Sequence, residues 1–319
     1  MIQPKNLSRD GKKLTAEKKD YKTMVAVHTA VSAGAMILLY LVDLLCNYWM
    51  SDLSGLSSMG KIAVLKTVPQ VLSVALSVAQ LFFTAGLWHL ALQAARGESS
   101  SFSRLTAGFF RIGPLFRYNL MLAVFGFLVC MLSLNIAPIL AMVIPVPQEL
   151  QEMMQQVNEE SIQDISALLE QLPLETCLPY FIGVSVVFLA VCGCAGLLLR
   201  YRFMMAGYLL MDNKGMGAMA ALSISSMITK GNRNELFKLD LRFWWYYLLQ
   251  FLLSLLPALP LILELAGMPA PMATSWFTLL CYGVYSVLGI GLAFFVGARR
   301  HAAQALAYEQ LKQYAPNYK

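Results

Sequence analysis

The residues of this chain best suited to chemistry are few. Three histidines, His28, His89 and His301, each stand at the end of a separate apolar run, and one carboxylate, Asp43, lies inside an otherwise uncharged run. Three imidazoles at one depth would make a metal site only if those runs were neighbours. Scattered interfacial histidines are the plainer reading, so no metal and no cofactor are expected. Asp43 lies near the far end of its run, with Asn47 one helical turn on. Snorkelling to water or hydrogen bonding at the rim explains a carboxylate there without ion coupling. It is nevertheless the best single site candidate, because ionisable residues inside spans are the first pointers to function. Gln80, Asn135 and Gln250 are the uncharged polar candidates at mid-run, accompanied by Ser133 and Ser185. Interhelical hydrogen bonds account for all of them. A water-wide cavity lined by Gln80, Asn135 or Gln250 would speak instead for transport. No H-E-x-x-H, G-x-S-x-G or phosphate-loop motif occurs, and no pair of acids sits together within a run. Nothing in the sequence argues for an enzyme.

These residues must be positioned by membrane helices. Hydrophobic residues make up 58% of the 319 and charged residues only 13%, about half the charge of a soluble domain. Runs of about 20 residues or more, nearly free of charge, can each cross a bilayer at 1.5 Å per residue. They predict six spans, at roughly 24–46, 68–95, 118–144, 178–199, 243–264 and 274–298. The fold class expected is all-α: a polytopic bundle of six transmembrane helices, with two cytoplasmic surface helices and one extracytoplasmic amphipathic helix. A basic segment 1–23 precedes a transmembrane domain 24–299, and a tail follows at 300–319. The first run is too long for a cleaved leader and reads as a retained span.

Lys and Arg set the orientation. Seven fall in 1–23, four in 96–117, seven in 200–242 and four in 299–319, which leaves only Lys61 and Lys66 for the opposite side. A multi-pass cell-membrane protein with both termini cytoplasmic follows. The resulting inner basic belt should attract anionic lipid. No recognition module accompanies it, so nucleic acid is not an expected partner.

The inner elbow, 213–242, is the most structured part of that belt. Gly231 sits where a helix C-cap glycine would, and Asn232 with Glu235 has capping-box form for the next helix. Lys238 and Arg242 share one helical face. Trp244, Trp245, Tyr246 and Tyr247 then form an aromatic belt before Pro257 and Pro260, which should kink the fifth span. Arg200, Arg202, Lys230, Arg233, Lys238 and Arg242 are the candidate headgroup ligands. The loop 96–117 offers a second surface helix at Phe102–Phe110, broken by Gly113-Pro114. The two inner bends give a weak parallel repeat of the two hairpins.

On the other side, 147–177 is acidic. Leu150, Met154, Val157, Ile165, Leu168 and Leu172 make one apolar stripe opposite Glu149, Glu152, Glu159, Glu160, Asp164 and Glu170. A solvated helix is expected there, since six acids over five turns make no compact oxygen cage. The six cysteines lack metal or redox spacing and read as packing. The four-residue repeats Ala26/Ala30/Gly34 and Gly289/Ala293/Gly297 read as close helix packing.

Several blocks resemble an uncharacterised bacterial membrane family, domain of unknown function 975. They are Ala95-Arg96-Gly97-Glu98 with Phe102, Leu105 and Gly108-Phe109; Tyr201-Arg202-Phe203 through Tyr208 and Asp212-Asn213; Lys230-Gly231-Asn232 before Trp244-Trp245; and Ala302 to Glu309. The likeness covers roughly 80–120 and 200–310. It departs at the start, where the family's glycine-asparagine-tryptophan element is missing, and in the longer acidic insertion, as in a divergent member. It implies a multi-span bundle with a cytoplasmic elbow and supplies no activity. The function expected is therefore a non-enzymatic membrane protein that organises anionic membrane lipid or a protein partner through its basic face. The alternative is a transporter or channel for a small neutral solute.

Overall fold

The computed structural model describes residues 2–51, 59–148, 151, 174–265 and 275–313, and every regular element among them is helical. The order is α1 (Pro4–Glu17), α2 (Lys19–Ser51), α3 (Met59–Ala95), a one-turn α4 (Phe102–Leu105), a 3₁₀ stretch (Thr106–Arg111) and α5 (Ile112–Ala141). There follow α6 (Leu174–Phe203), α7 (Ala206–Asp212), α8 (Ala218–Ile228), α9 (Arg233–Leu241), α10 (Trp244–Ser254), α11 (Leu259–Leu265), α12 (Ser275–Leu292), a π-helical turn (Ala293–Gly297) and α13 (Ala298–Gln313).

Five helical segments are long and apolar enough to cross a membrane: Lys19–Met50, Lys61–Ala95, Phe102–Ala141, Leu178–Asp212 and Trp276–Gln313. Mid-helix side chains such as Val71 (67% exposed) and Leu198 (71%) point outward. In water such a surface would aggregate; against hydrocarbon it is what solvates the protein. The chain is thus a multi-pass helical membrane protein.

The fifth expected span, 243–264, is not one continuous helix. It stops at Ser254 and resumes at Leu259. Pro257 and Pro260 have no N–H to give, and the intervening residues bond three back rather than four, as in Leu256 N–H to Leu253 and Leu259 N–H to Leu256. Gly113-Pro114, in contrast, breaks nothing: both lie in the first turn of α5, where a missing N–H has no intrahelical partner to lose. The break expected after Phe110 is only the 3₁₀ stretch that leads directly into α5. Most of the acidic insertion, at 149–150 and 152–173, lies outside the described residues.

The chain forms two compact units, Met1–Asn119 with Arg202–Lys319, and Leu120–Tyr201. In the second, α5 from Leu120 onward and most of α6 carry apolar side chains; Ile144 Cδ1 lies 2.9 Å from where a Cβ on Gly183 would be, so the chain touches α6 backbone there.

The first unit holds the densest packing. α3 ends in a Schellman cap: Gly97, at φ +89, follows Arg96, and Glu98 N–H bonds Gln93 while Gly97 N–H bonds Ala94. The chain then folds back on α3. A Cβ on Gly86 would lie 1.6 Å from the Leu105 carbonyl oxygen, and one on Gly108 2.0 Å from that of Phe82, so only glycine permits this approach. Leu90, Leu92, Leu105, Met205, Leu210, Leu236, Tyr208 and Tyr308 are fully buried at this end. The Trp88 ring packs edge-on against Tyr118, and Gly207 makes room for its face.

The basic N-terminal segment is not a loose tail. Leu7, Gly11 and Thr15, four apart, are the buried stripe of α1, which lies on α13 and α9. A Cβ on Gly11 would come within 3.0 Å of the Arg299 carbonyl oxygen. The two ends of the described chain are thereby fastened together.

Candidate functional site

α2 presents Val25, His28, Thr29, Ser32, Ala33 and Met36 along one face, at the three- and four-residue spacings of a single helical stripe. That stripe does not close against its neighbours. It borders a cavity of about 210 Å³ whose other walls are Gln80 and Leu87 of α3, Tyr246 and Gln250 of α10, and Tyr285, Ser286 and Gly289 of α12. Ala293 and Gly297 of the π turn and His301 of α13 complete it. The repeat Gly289/Ala293/Gly297 thus borders this space as well as lying where α12 and the π turn pack on α2. The π turn carries one extra residue per turn at the point where the wall passes from α12 to α13, a distortion that recurs at functional sites.

Hydrogen bonding fixes the lining's character. Thr29 Oγ1 donates to the Val25 carbonyl at 3.2 Å, Ser32 Oγ to His28 at 3.1 Å, and Ser286 Oγ to Tyr282 at 2.7 Å. Each hydroxyl spends its hydrogen on its own helix and keeps its lone pairs for another partner. The Gln80 and Gln250 side-chain amides make no hydrogen bond among the described residues, and His28 Nε2 and His301 Nδ1 are buried without one. The chamber thus offers acceptors and amide donors, with no carboxylate, lysine or arginine among the described residues of its wall. Tyr246 is held from behind, where the Arg300 guanidinium lies 5.9 Å from its ring centroid and 4.8 Å from that of Tyr247.

Two of the three histidines meet at this chamber. His89 does not: its Nε2 is 2.9 Å from Gln93 Nε2. The three do not converge, because α3 places His89 a half-turn beyond Leu87, facing its own C-terminal turn. Of the four polar candidates, Gln80 and Gln250 line the chamber. Asp43 lies further along α2, hydrogen bonded by Asn47 Nδ2 at 3.2 Å, on a second cavity. Asn135 Nδ2 is committed to the Met131 carbonyl at 2.7 Å.

The elbow differs in part from its expected form. Gly231 has φ +83, the left-handed value that favours glycine. The capping box is absent. Asn232, at φ −113 and ψ 5, is outside the extended region a cap needs; its Oδ1 accepts from Ile2 N–H at 3.5 Å, while Glu235 pairs with Lys238 at 2.8 Å. Lys230, Lys238 and Arg242 are exposed, as is Trp244 at 58%. Trp245 is less so, and Tyr246 and Tyr247 turn inward to Arg300. Arg202 is exposed and bonds Ser226 Oγ at 2.8 Å; its carbonyl, freed where α6 ends, accepts from Ser225 and Thr229 hydroxyls. Arg233 buries its Nε without a partner, and the Arg200 guanidinium stands 5.9 Å from the neighbouring Tyr201 ring.

A second cluster joins blocks that the sequence separates widely. Asp212 Oδ1 takes the Arg96 guanidinium at 2.8 Å, and its Oδ2 accepts from Tyr308 at 2.9 Å and Lys312 Nζ at 2.6 Å. Arg96 Nε also bonds Glu309 at 2.7 Å. Burial alone would lower the Arg96 pKa, but the bonds to Asp212 and Glu309 outweigh it and raise it. Arg111 clamps the loop beyond α7, donating to the Asn213 carbonyl at 2.8 Å and that of Lys214 at 2.6 Å. The only hint of this cluster in the sequence is that Arg96, Asp212, Tyr308 and Glu309 belong to the recognisable blocks; Lys312 lies beyond them. Nothing local pairs Arg96 with Asp212.

Comparison with curated proteins and with solved structures finds no match. Residues 16–315 match the family described as protein of unknown function DUF975, a span that takes in the N-terminal spans and the acidic insertion as well as the recognisable blocks, and the chain belongs to that family.

Proposed function

We propose that this protein binds a small neutral polar solute in the chamber between α2, α3, α10 and α12 and passes it across the cell membrane, without chemical change. The chamber itself carries the reading: a polar, uncharged space of about 210 Å³, enough for roughly seven waters at their liquid volume, inside a bundle whose outer faces are apolar. Unspent hydroxyl lone pairs and two free amides suit a small polyol or amide. An ion would find no countercharge on the wall.

The topology that accompanies this reading has both termini cytoplasmic. The packing of α1 on α13 supports a reading in which the two ends share one side and the number of crossings is even. Beside the five continuous candidate spans, α10 and α11 would supply the sixth as a broken segment. Broken helices are tolerated at membrane depth where they border a cavity, and α10 does so through Tyr246 and Gln250.

Proteoliposomes of the full chain, mixed rapidly with hyperosmotic urea, glycerol or erythritol, test the proposal by light scattering. Faster re-swelling than in protein-free vesicles, for at least one solute, is the expected result. Re-swelling no faster than in empty vesicles for every neutral solute tried would end this reading.

A second reading rests on the exposed row Lys230, Lys238 and Arg242 beside the exposed Trp244. These would hold anionic headgroups at about 1 kcal/mol per charge. Here the K238Q/R242Q variant should retain less phosphatidylglycerol than the parent after detergent washing, measured by native mass spectrometry. Equal retention removes the elbow as a lipid site.

A further inference from the structure

A second cavity, of about 470 Å³, opens between α2, α3 and α12 further along α2 than the chamber, and Met36 borders both. Its wall combines Tyr40 and Asp43 of α2, Gln70 and Ser73 of α3, and Tyr282 of α12. Asp43 forms no ion pair among the described residues; its one hydrogen-bond donor there is the Asn47 amide. Among the described residues, no lysine or arginine borders the cavity. Beside this uncompensated carboxylate, the Tyr40 and Tyr282 rings pack with centroids 5.2 Å apart and planes tilted by 34°.

We infer that this vestibule is a binding site for an organic ammonium group, either the amine headgroup of a membrane lipid or a free small amine. The carboxylate supplies the countercharge, and the rings offer π faces that attract a cation whose alkyl substituents also prefer apolar contact. Gln70 and Ser73 provide oxygen acceptors for ammonium N–H groups. A hard divalent cation is a poor fit. It takes six to eight oxygens, and aromatic walls cannot supply them. Sodium or potassium would gain the carboxylate but little from the rings. The position at the outer end of α2 follows from the topology proposed above. The binding does not depend on solute passage, because it is read at equilibrium.

The test uses the full chain in nanodiscs of phosphatidylglycerol alone, titrated with choline and with ethanolamine by calorimetry, beside native mass spectrometry in nanodiscs that also contain phosphatidylethanolamine. Binding of either free amine, weakened about tenfold to a hundredfold in Asp43→Asn and in Tyr282→Leu but kept in Asp43→Glu, assigns a soluble amine. Selective retention of phosphatidylethanolamine, lost in Asp43→Asn, without free-amine binding assigns a lipid headgroup. Neither binding nor retention in the parent, or either one unchanged in Asp43→Asn, would overturn the inference. Glycerol or urea flux in Asp43→Asn should stay at the parental rate, which separates a failure here from a failure of the solute chamber.

Discussion

Asp212, the last residue of α7, accepts the phenolic hydrogen of Tyr308 at 2.9 Å across 96 positions of sequence. The same carboxylate receives Arg96, the residue that follows α3, and Lys312 from α13. Three helix ends thus meet on one acid whose side chain is only 7% exposed. The arrangement explains why Gly97 follows Arg96: the Schellman cap stops α3 where its guanidinium can turn to both Asp212 and Glu309.

Removing that acid should therefore loosen all three ends at once. Asp212→Asn is expected to cost about 2 kcal/mol, within the range for losing a charged hydrogen bond and less than for breaking a fully buried pair, because Arg96 and Lys312 can still reach water. Tyr308→Phe loses one hydrogen bond, about 1 kcal/mol. Their effects should be less than additive, since they share a partner. Thermal unfolding of the two single variants and the double in one detergent measures this; simple additivity would mean that the Asp212–Tyr308 contact contributes nothing.

The close approach of the 3₁₀ stretch to α3 predicts a sharp contrast among glycines. At Gly86 and Gly108 the added atom would overlap backbone carbonyls of Leu105 and Phe82, which no rotamer change relieves. Gly86→Ala and Gly108→Ala should each cost more than about 3 kcal/mol or abolish the folded yield. Gly34→Ala meets nothing within 4 Å and should be neutral or slightly stabilising, as alanine favours helix. Size-exclusion profiles of the three variants after mild detergent extraction decide it. A monodisperse Gly86→Ala protein would refute the packing.

The elbow gives a pair of opposite expectations. Gly231→Leu forces a side chain into the left-handed region and should cost about 1–2 kcal/mol. Glu235→Gln, which a capping box would make costly, should change stability by less than about 0.5 kcal/mol, because the partner of Glu235 among the described residues is an exposed Lys238. Comparable melting losses in the two variants would restore the capping box.

Much of the bundle was legible in the sequence because membrane insertion is decided locally. A run such as 68–95 states its own fate through composition, and Gly97 and Gly231 mark chain reversals through their backbone freedom. Proline needed more context: Pro114 in a first helical turn is harmless, while Pro257 and Pro260 fall where α10 gives way to α11. Asn232 and Glu235 had the right spacing for a cap, but each found another partner, Ile2 and Lys238. What the sequence could not tell was adjacency. His28 and His301 line one chamber and His89 does not, because helix neighbours are chosen by close contacts such as Gly11 on α13. The stripe Gly289/Ala293/Gly297 signalled helix packing, but not that it also borders a cavity, for the same reason. Whether small residues admit a neighbouring helix or a cavity depends on what stands opposite.

That last ambiguity yields the most direct test of the chamber. A Cβ on Gly289 would touch nothing within 4 Å, so Gly289→Leu can place its side chain in the open space without disturbing a backbone. Filling a cavity with apolar atoms should leave the melting temperature unchanged or raise it, while flux of the transported solute falls at least tenfold. Gly297→Ala differs, since its Cβ would stand 3.3 Å from the Tyr246 hydroxyl and shift that ring against Arg300. A modest loss of both flux and stability is expected there. If Gly289→Leu is stable and conducts at the parental rate, the solute does not travel through this chamber, however polar its walls.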